Sequence, residues 1–133
     1  PIIQSIFDIN EQDKIHDLVF RIVPDGLNTL GSSMMLCHGD LAGWNIIYQG
    51  DGKVGIIDFG DICYSDPSKD LIDFGDEEIS ESVIKAYGDS EILRKKIEIR
   101  KIIPAIISLG FFAGKNDQNG INKTVISIKQ LLP

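Results

Sequence analysis

The sequence predicts an α+β protein that is mostly helical and carries a small β-hairpin. Apolar residues recur at helical spacing towards both ends of the chain, and one Gly50-Asp51-Gly52-Lys53 turn separates two β-like runs. The 133 residues fit a single folding unit that buries roughly two-thirds of its unfolded surface. Hydrophobic residues make up 43% and charged residues 25%, which excludes a disordered tail, a collagen-like repeat and a coiled-coil rod. Thirteen Lys+Arg against twenty Asp+Glu leave a net charge of −7, the wrong sign for binding nucleic acid and compatible with a cationic substrate. The longest apolar stretch, Ile102 to Gly114, falls short of the roughly 20 residues of a membrane span, so no membrane partner is expected. Cys37 and Cys63 lack the spacing of a disulfide framework or a zinc site and read as small buried, reduced thiols. The Asn122-Lys123-Thr124 sequon has no secretory signal beside it, and a cytoplasmic protein is expected.

Each element follows from local pattern. Between Glu11 and Val23, Ile15, Leu18, Val19 and Ile22 share a helical face, and Pro24-Asp25-Gly26 is expected to stop that helix. Met34 to Cys37 reads as a short buried strand, and His38 to Trp44 as a loop with two glycines. The hairpin strands are Asn45–Gln49 and Val54–Phe59, followed by a loop to Asp66-Pro67, where proline suits the first turn of a helix. Helices are expected over Asp70–Phe74 and over Glu77–Tyr87, the second ended by Gly88. Ser90 caps a long helix through Ile92, Ile99, Ile103, Ile106 and Ile107, bent at Pro104, and Asn119 or Asn122 opens a last helix. Gly110 and Gly114 read as a helix-packing notch. Arg94-Lys95-Lys96 with Arg100-Lys101 reads as a solvated face, and Trp44 either packs on the helices or stacks on a ligand ring.

The stretch LCHGDLAGWNIIYQGDGKVGIIDFGD, residues 36–61, carries the chemistry. His38-x-Asp40-Leu41-x-x-x-Asn45 is followed, after the hairpin, by Asp58-Phe59-Gly60, in the order and spacing of H-R-D-L-x-x-x-N and D-F-G in protein kinases. Six such matches arise by chance on the order of once in ten million starting points. Phosphoryl transfer from a nucleotide asks a protein for positioning and charge neutralisation more than for covalent help. Asp58 at a strand end offers a carboxylate, and Asn45 a neutral oxygen, to a Mg²⁺ that bridges nucleotide phosphates. The hairpin sets positions 45 and 58 side by side, with Asp40 in the adjoining loop able to accept a proton from a substrate hydroxyl. His38 reads as a brace for that loop.

HGDLxxxN, IIDFGD and the following DPSKDL resemble the aminoglycoside phosphotransferase and choline-kinase-like branch of the kinase fold. Gly39 in place of the protein-kinase Arg, with neither an activation loop nor an APE segment after it, favours that branch. The IDFGD wording is most similar to the kinases that modify the 2″-hydroxyl of aminoglycosides, some of which use GTP. The resemblance implies that residues 1–133 form the carboxy-terminal catalytic lobe of a protein-kinase-like fold. It implies Asp40 as catalytic base, Asn45 and Asp58 as magnesium and nucleotide ligands, and Asp70 as the acceptor of backbone hydrogen bonds from the catalytic loop. Asp61 would orient loop or substrate. Asp76, Glu77 and Glu78 stand where acids for a cationic substrate are expected, and equally suit a helix N-terminus. The motifs span about residues 34–75; the helical remainder agrees in character.

One departure stands out. Nucleotide kinases use a glycine-rich loop and a strand lysine for the phosphates, and neither precedes Met34 in a chain that starts at Pro1. The expectation is therefore a missing amino-terminal lobe in this piece and poor transfer by the piece alone, with apolar surface exposed near the hairpin and self-association. The expected whole is an ATP- or GTP-dependent phosphotransferase acting on a hydroxyl of a small cationic substrate. An aminoglycoside comes first, with the antibiotic resistance that implies; choline, homoserine, a methylthio sugar and a fructosamine are alternatives. A non-catalytic truncated lobe that binds metal or substrate is the competing class, and a metal-dependent hydrolase a third.

Overall fold

Asp8 opens the first substantial helix with a capping box: its carboxylate accepts the Glu11 N–H at 2.9 Å, and the Glu11 carboxylate accepts the Asp8 N–H at 3.0 Å. The computed structural model describes residues 2–31, 33–72 and 74–133. Helix α1 spans Ile2–Ile6 and α2 spans Ile9–Asp17. The stop expected at Pro24-Asp25-Gly26 does not occur. A π-helical turn, Leu18–Ile22, leads into α3, Val23–Thr29, with the Val23 N–H donating to the Leu18 carbonyl. The wider turn leaves Pro24 in the first turn of α3, where its missing N–H is not needed.

The described chain divides into two compact units, Pro1–Thr29 with Ile99–Pro133 and Leu30–Glu98. The apolar side chains gather into two clusters, not the single core that length suggests. In the first unit Phe7, Ile15, Val23, Ile102, Leu109 and Ile128 are buried together. Helices α6 (Ile102–Gly114) and α7 (Gln118–Leu131) supply half of them. Asp117 caps α7, accepting the Asn119 and Gly120 N–H groups at 3.1 and 3.0 Å. The expected long helix is two: α5, Glu91–Arg100, ends one turn before Pro104, whose ring would clash with the Arg100 carbonyl, and α6 restarts at Ile102. Gly110 and Gly114 meet nothing within 4 Å of where a Cβ would stand, so they form no packing notch. In these helices a glycine is in close contact at Gly120, whose added Cβ would lie 2.3 Å from the Phe112 ring.

The second unit carries two antiparallel strand pairs. β2 (Ile46–Tyr48) pairs with β3 (Val54–Ile56) in the register Ile46↔Ile56 and Tyr48↔Val54, around Gly50 and Gly52 at φ +82° and +83°. This is the expected hairpin, with Asn45 in a 3₁₀ turn, Gly43–Asn45, just ahead of it. β1 (Met35–Cys37) pairs with β4 (Cys63–Ser65), a strand where the local pattern predicts loop, because three residues are too few to show a period. The β1 strand was expected to be buried, but only Cys37 is; Leu36 and its partner Tyr64 face solvent. The helix expected at Asp70–Phe74 is a 3₁₀ turn over Pro67–Leu71, and Asp73 lies outside the described residues.

α4 (Glu77–Gly88) and α5 close the core of this unit over Leu71, Phe74, Ile84, Leu93 and Ile97. The basic run on α5 is not one solvated face. Lys96 is buried, because it falls between Leu93 and Ile97 on the inward stripe, while Arg94 grips Glu81 and Asp89 through four hydrogen bonds of 2.7–2.9 Å. Among the described residues no helix is long and apolar enough to cross a membrane. Replacing Gly120 by Ala is expected to destabilise the protein by roughly 1–3 kcal/mol through overpacking, less whatever helix propensity returns. Gly110→Ala should be neutral or stabilising by up to about 1 kcal/mol. Urea unfolding of the two variants checks the contrast.

Candidate active site

A loop that must present a carboxylate needs its own backbone held, and one acid does that here. The Asp70 carboxylate accepts the His38 N–H at 2.6 Å and the Gly39 N–H at 2.8 Å. Asp70 rides on the 3₁₀ turn Pro67–Leu71, which Asp66 caps by accepting the Ser68 N–H at 3.1 Å and its hydroxyl at 2.7 Å. The buried Lys96 ammonium donates to the other Asp66 oxygen at 2.6 Å. Burial pushes the Asp66 carboxyl up, but Lys96 and Ser68 outweigh it and hold it below the ordinary carboxylate range. Burial pushes the Cys37 thiol up, with Asp70 adding to it, in keeping with a small side chain packed in the interior.

His38 ties the loop to the segment that leads from β3, which stops at Ile56 and not at the expected Phe59, to Asp58. Its Nδ1 lies 3.4 Å from the Asp40 N–H, which assigns the ring proton to Nε2, and Nε2 donates to the Ile57 carbonyl at 2.8 Å. The ring also leans on Phe59, 4.8 Å between centroids. Gly39, at φ +91°, has the backbone of Asp61 against it: a Cβ there would sit 2.0 Å from the Asp61 carbonyl oxygen. No larger residue fits, which gives the glycine at this position a physical reason.

Asp40 and Asn45 meet. The Asn45 Nδ2 donates to the Asp40 carbonyl at 2.8 Å and to Asp40 Oδ2 at 3.0 Å. Both partners are acceptors, so the amide nitrogen must face them and Oδ1 must face away. Among the described residues Oδ1 accepts no hydrogen bond, and no buried side-chain polar atom is sealed off without a partner. Ile57 N–H donates to the Asn45 carbonyl at 3.0 Å, extending the β2–β3 ladder by one rung. Asp58 therefore leaves the ladder next to Asn45. It adopts the left-handed region at φ +62°, ψ +63°, and its exposed carboxylate has no hydrogen-bond partner among the described residues. Asn45 Oδ1 and the Asp58 carboxylate are both hard oxygen donors from adjacent positions of the ladder, a chemistry that suits a magnesium ion keeping most of its other ligands as water or phosphate oxygens. No group of three or more His, Cys, Asp or Glu gathers among the described residues, here or elsewhere, so these two oxygens would leave the rest of the ion's shell to water and phosphate.

With this geometry in view, residues 5–98 match the family described as phosphotransferase enzyme family, APH. The chain belongs to that family. No curated protein matches it. Solved structures similar to this APH-family chain include the GDP complex of an aminoglycoside 2′-phosphotransferase-IIIa mutant, at 20% identity and TM-score 0.66, over 98% of this chain and 47% of that one. Another is the gentamicin–APH(2″)-IIa complex, at 20% identity and TM-score 0.64, over 97% and 46%. The chain thus has their kinase-like fold and spans about half their length.

The acids expected for a substrate divide. In the APH-family chain Asp76 caps α4, accepting the Ile79 N–H at 3.0 Å. Glu77 and Glu78 lie exposed in the first turn of α4, and the Asp61 side chain is exposed as well. No hydrogen bond or ion pair joins Asp61, Glu77 or Glu78 to the Asp40–Asn45 pair among the described residues. Trp44, 73% exposed, does not pack on the helices. Lys96, expected on a solvated face, is buried together with the Asp66 carboxylate. The Leu93, Lys96, Ile97 spacing was the signal available for Lys96.

Asp66 also sets an acid sensitivity. Its folded pKa lies below the unfolded one, so its stabilisation is full above pH ~4 and is lost as pH falls through the lower folded value. Asp66→Asn strands the Lys96 charge and should destabilise by about 3–5 kcal/mol at neutral pH. Urea unfolding followed from pH 7 down to 2 should show a shallower decline below pH 4 in Asp66→Asn than in the parent.

Proposed function

We propose that this chain is the catalytic lobe of a nucleotide-dependent phosphotransferase. The reaction moves the γ-phosphate of ATP or GTP to a hydroxyl of a small cationic substrate, an aminoglycoside before the other acceptors. The observation that carries the reading is the Asp40–Asn45 hydrogen bond at 3.0 Å beside the unpartnered Asp58 carboxylate. Asn45 holds Asp40 Oδ2, which leaves Oδ1 to take the proton of an attacking hydroxyl. Asn45 Oδ1 and the Asp58 carboxylate would hold Mg²⁺, which would supply neutralisation of the phosphate charge. His38 and Asp70 keep the Asp40 backbone in place for that proton transfer.

Exposed acids support a cationic acceptor. Asp61, Glu77 and Glu78 have no basic partner among the described residues, whereas Asp76 has its capping bond to satisfy it. The GDP and gentamicin in the printed names of the similar structures support a nucleotide donor and an aminoglycoside acceptor. A second lobe is supported by the half-length coverage and by the apolar residues the hairpin exposes, Val54 and Ile56 on one face and Ile47 and Ile57 on the other. That lobe would bring the phosphate-binding loop and lysine this stretch lacks, and the present chain alone would be a poor catalyst.

Transfer of labelled γ-phosphate from ATP and from GTP to a panel of aminoglycosides and amino-alcohols tests the reading in the natural full-length protein. Asp40→Asn is expected to lower turnover by roughly 10²–10⁴-fold while Mg-nucleotide binding persists. Unchanged turnover in that variant would refute the role of Asp40. Transfer by the 133-residue chain alone at the full-length rate would refute the need for a second lobe.

A further inference from the structure

The mechanism proposed above uses neither member of the buried ion pair, and such a pair commonly adds no more stability than apolar residues of the same volume would, so its presence asks for another role. Lys96 is 7% exposed and Asp66 3%, in a position on α5 where a Met or Leu would pack with Leu93 and Ile97 without desolvating an ammonium. What the pair orients can be followed bond by bond. Lys96 Nζ donates to Asp66 Oδ2 at 2.6 Å. That fixes the rotation of the carboxylate, so Oδ1 faces the Pro67–Leu71 turn and accepts the Ser68 N–H and hydroxyl. Four residues on, the same turn delivers Asp70 to the His38 and Gly39 N–H groups. The next residue is Asp40, whose side chain Asn45 meets from the other side.

We propose that Lys96 is a positioning residue for Asp40, acting through Asp66 and Asp70. The inference rests on the phosphotransferase reading for its kinetic consequence, but the chain of bonds it names can be observed without any turnover. Lys96 leaves the nucleotide and acceptor to other groups; it sets the place of the base. Its loss therefore reaches kcat before KM, unlike loss of a binding residue.

The test uses Lys96→Met in the full-length protein, with hydrogen exchange as the first readout. The His38 and Gly39 amides are expected to exchange at least tenfold faster in the variant relative to the amides of α4, because their shared acceptor is no longer held. Steady-state transfer should show kcat lowered tenfold or more with both KM values within about twofold. Equal acceleration at His38, Gly39 and α4 would mean general loosening and would overturn the proposal. So would unchanged kcat in folded Lys96→Met protein. If Lys96→Met does not fold, the neutral pair Asp66→Asn with Lys96→Met removes both buried charges and keeps an amide oxygen for Ser68. Persisting fast exchange at His38 and Gly39 in that folded double variant supports positioning by the charge pair; full recovery of protection overturns it. Should the parent protein transfer no phosphate, the kinase reading fails while the exchange comparison still decides the role of Lys96.

Discussion

Both oxygens of one carboxylate, Asp70, are taken by two successive backbone N–H groups, His38 at 2.6 Å and Gly39 at 2.8 Å, and the rest of the site depends on that grip. Hydrogen bonds to a charged acceptor contribute about 1.5–3 kcal/mol each. Two of them, on adjacent residues, leave the loop little freedom to rotate where it turns out of β1. His38 then reaches across to the Ile57 carbonyl and the Phe59 ring, which ties the loop to the segment that leads from β3 through Asp58. Asp40 inherits its place from this scaffold and from Asn45, not from any contact that it makes alone.

Backbone conformation contributes where side chains cannot. Gly39 is needed twice over, by its positive φ and by the Asp61 carbonyl lying where a Cβ would be. Gly43 plays a similar part on the other side of the loop, with the Phe74 carbonyl 2.6 Å from its added Cβ. Asp58 occupies the left-handed region without being a glycine, a conformation asparagine and aspartate tolerate better than other residues. That conformation turns the chain sharply after β3 and leaves the carboxylate exposed and without a hydrogen-bond partner among the described residues.

The electrostatics of this unit are layered. Outside, Arg94 ties α5 to Glu81 and Asp89 in an exposed network that solvent screens. Inside, Lys96 and Asp66 meet where water does not reach, and their attraction is screened far less. Two neighbouring positions on one helix thus carry the same charge and different work, and only the face each occupies distinguishes them.

Much of the site could be read from the chain because its parts are close in sequence. The His38–Asn45 spacing, the glycine turn and Asp58-Phe59-Gly60 lie within 23 residues of each other, and local hairpin geometry alone puts Asn45 beside the end of β3. Helix caps at Asp76 and Ser90 were legible for the same reason. The missed features are those that depend on distant partners or on backbone compromises. The β1–β4 pairing joins residues that local periodicity cannot connect, the π turn before Pro24 carries a helix through an expected stop, and Pro104 splits a helix expected only to bend. The sequence by itself determined which chemical groups stand near one another along a short loop and hairpin, since a turn of defined length allows few arrangements. Only the tertiary structure decided that Lys96 turns inward to Asp66 across 30 residues, and that Asp61 lays its backbone on Gly39, because such contacts form only when separate elements close on each other.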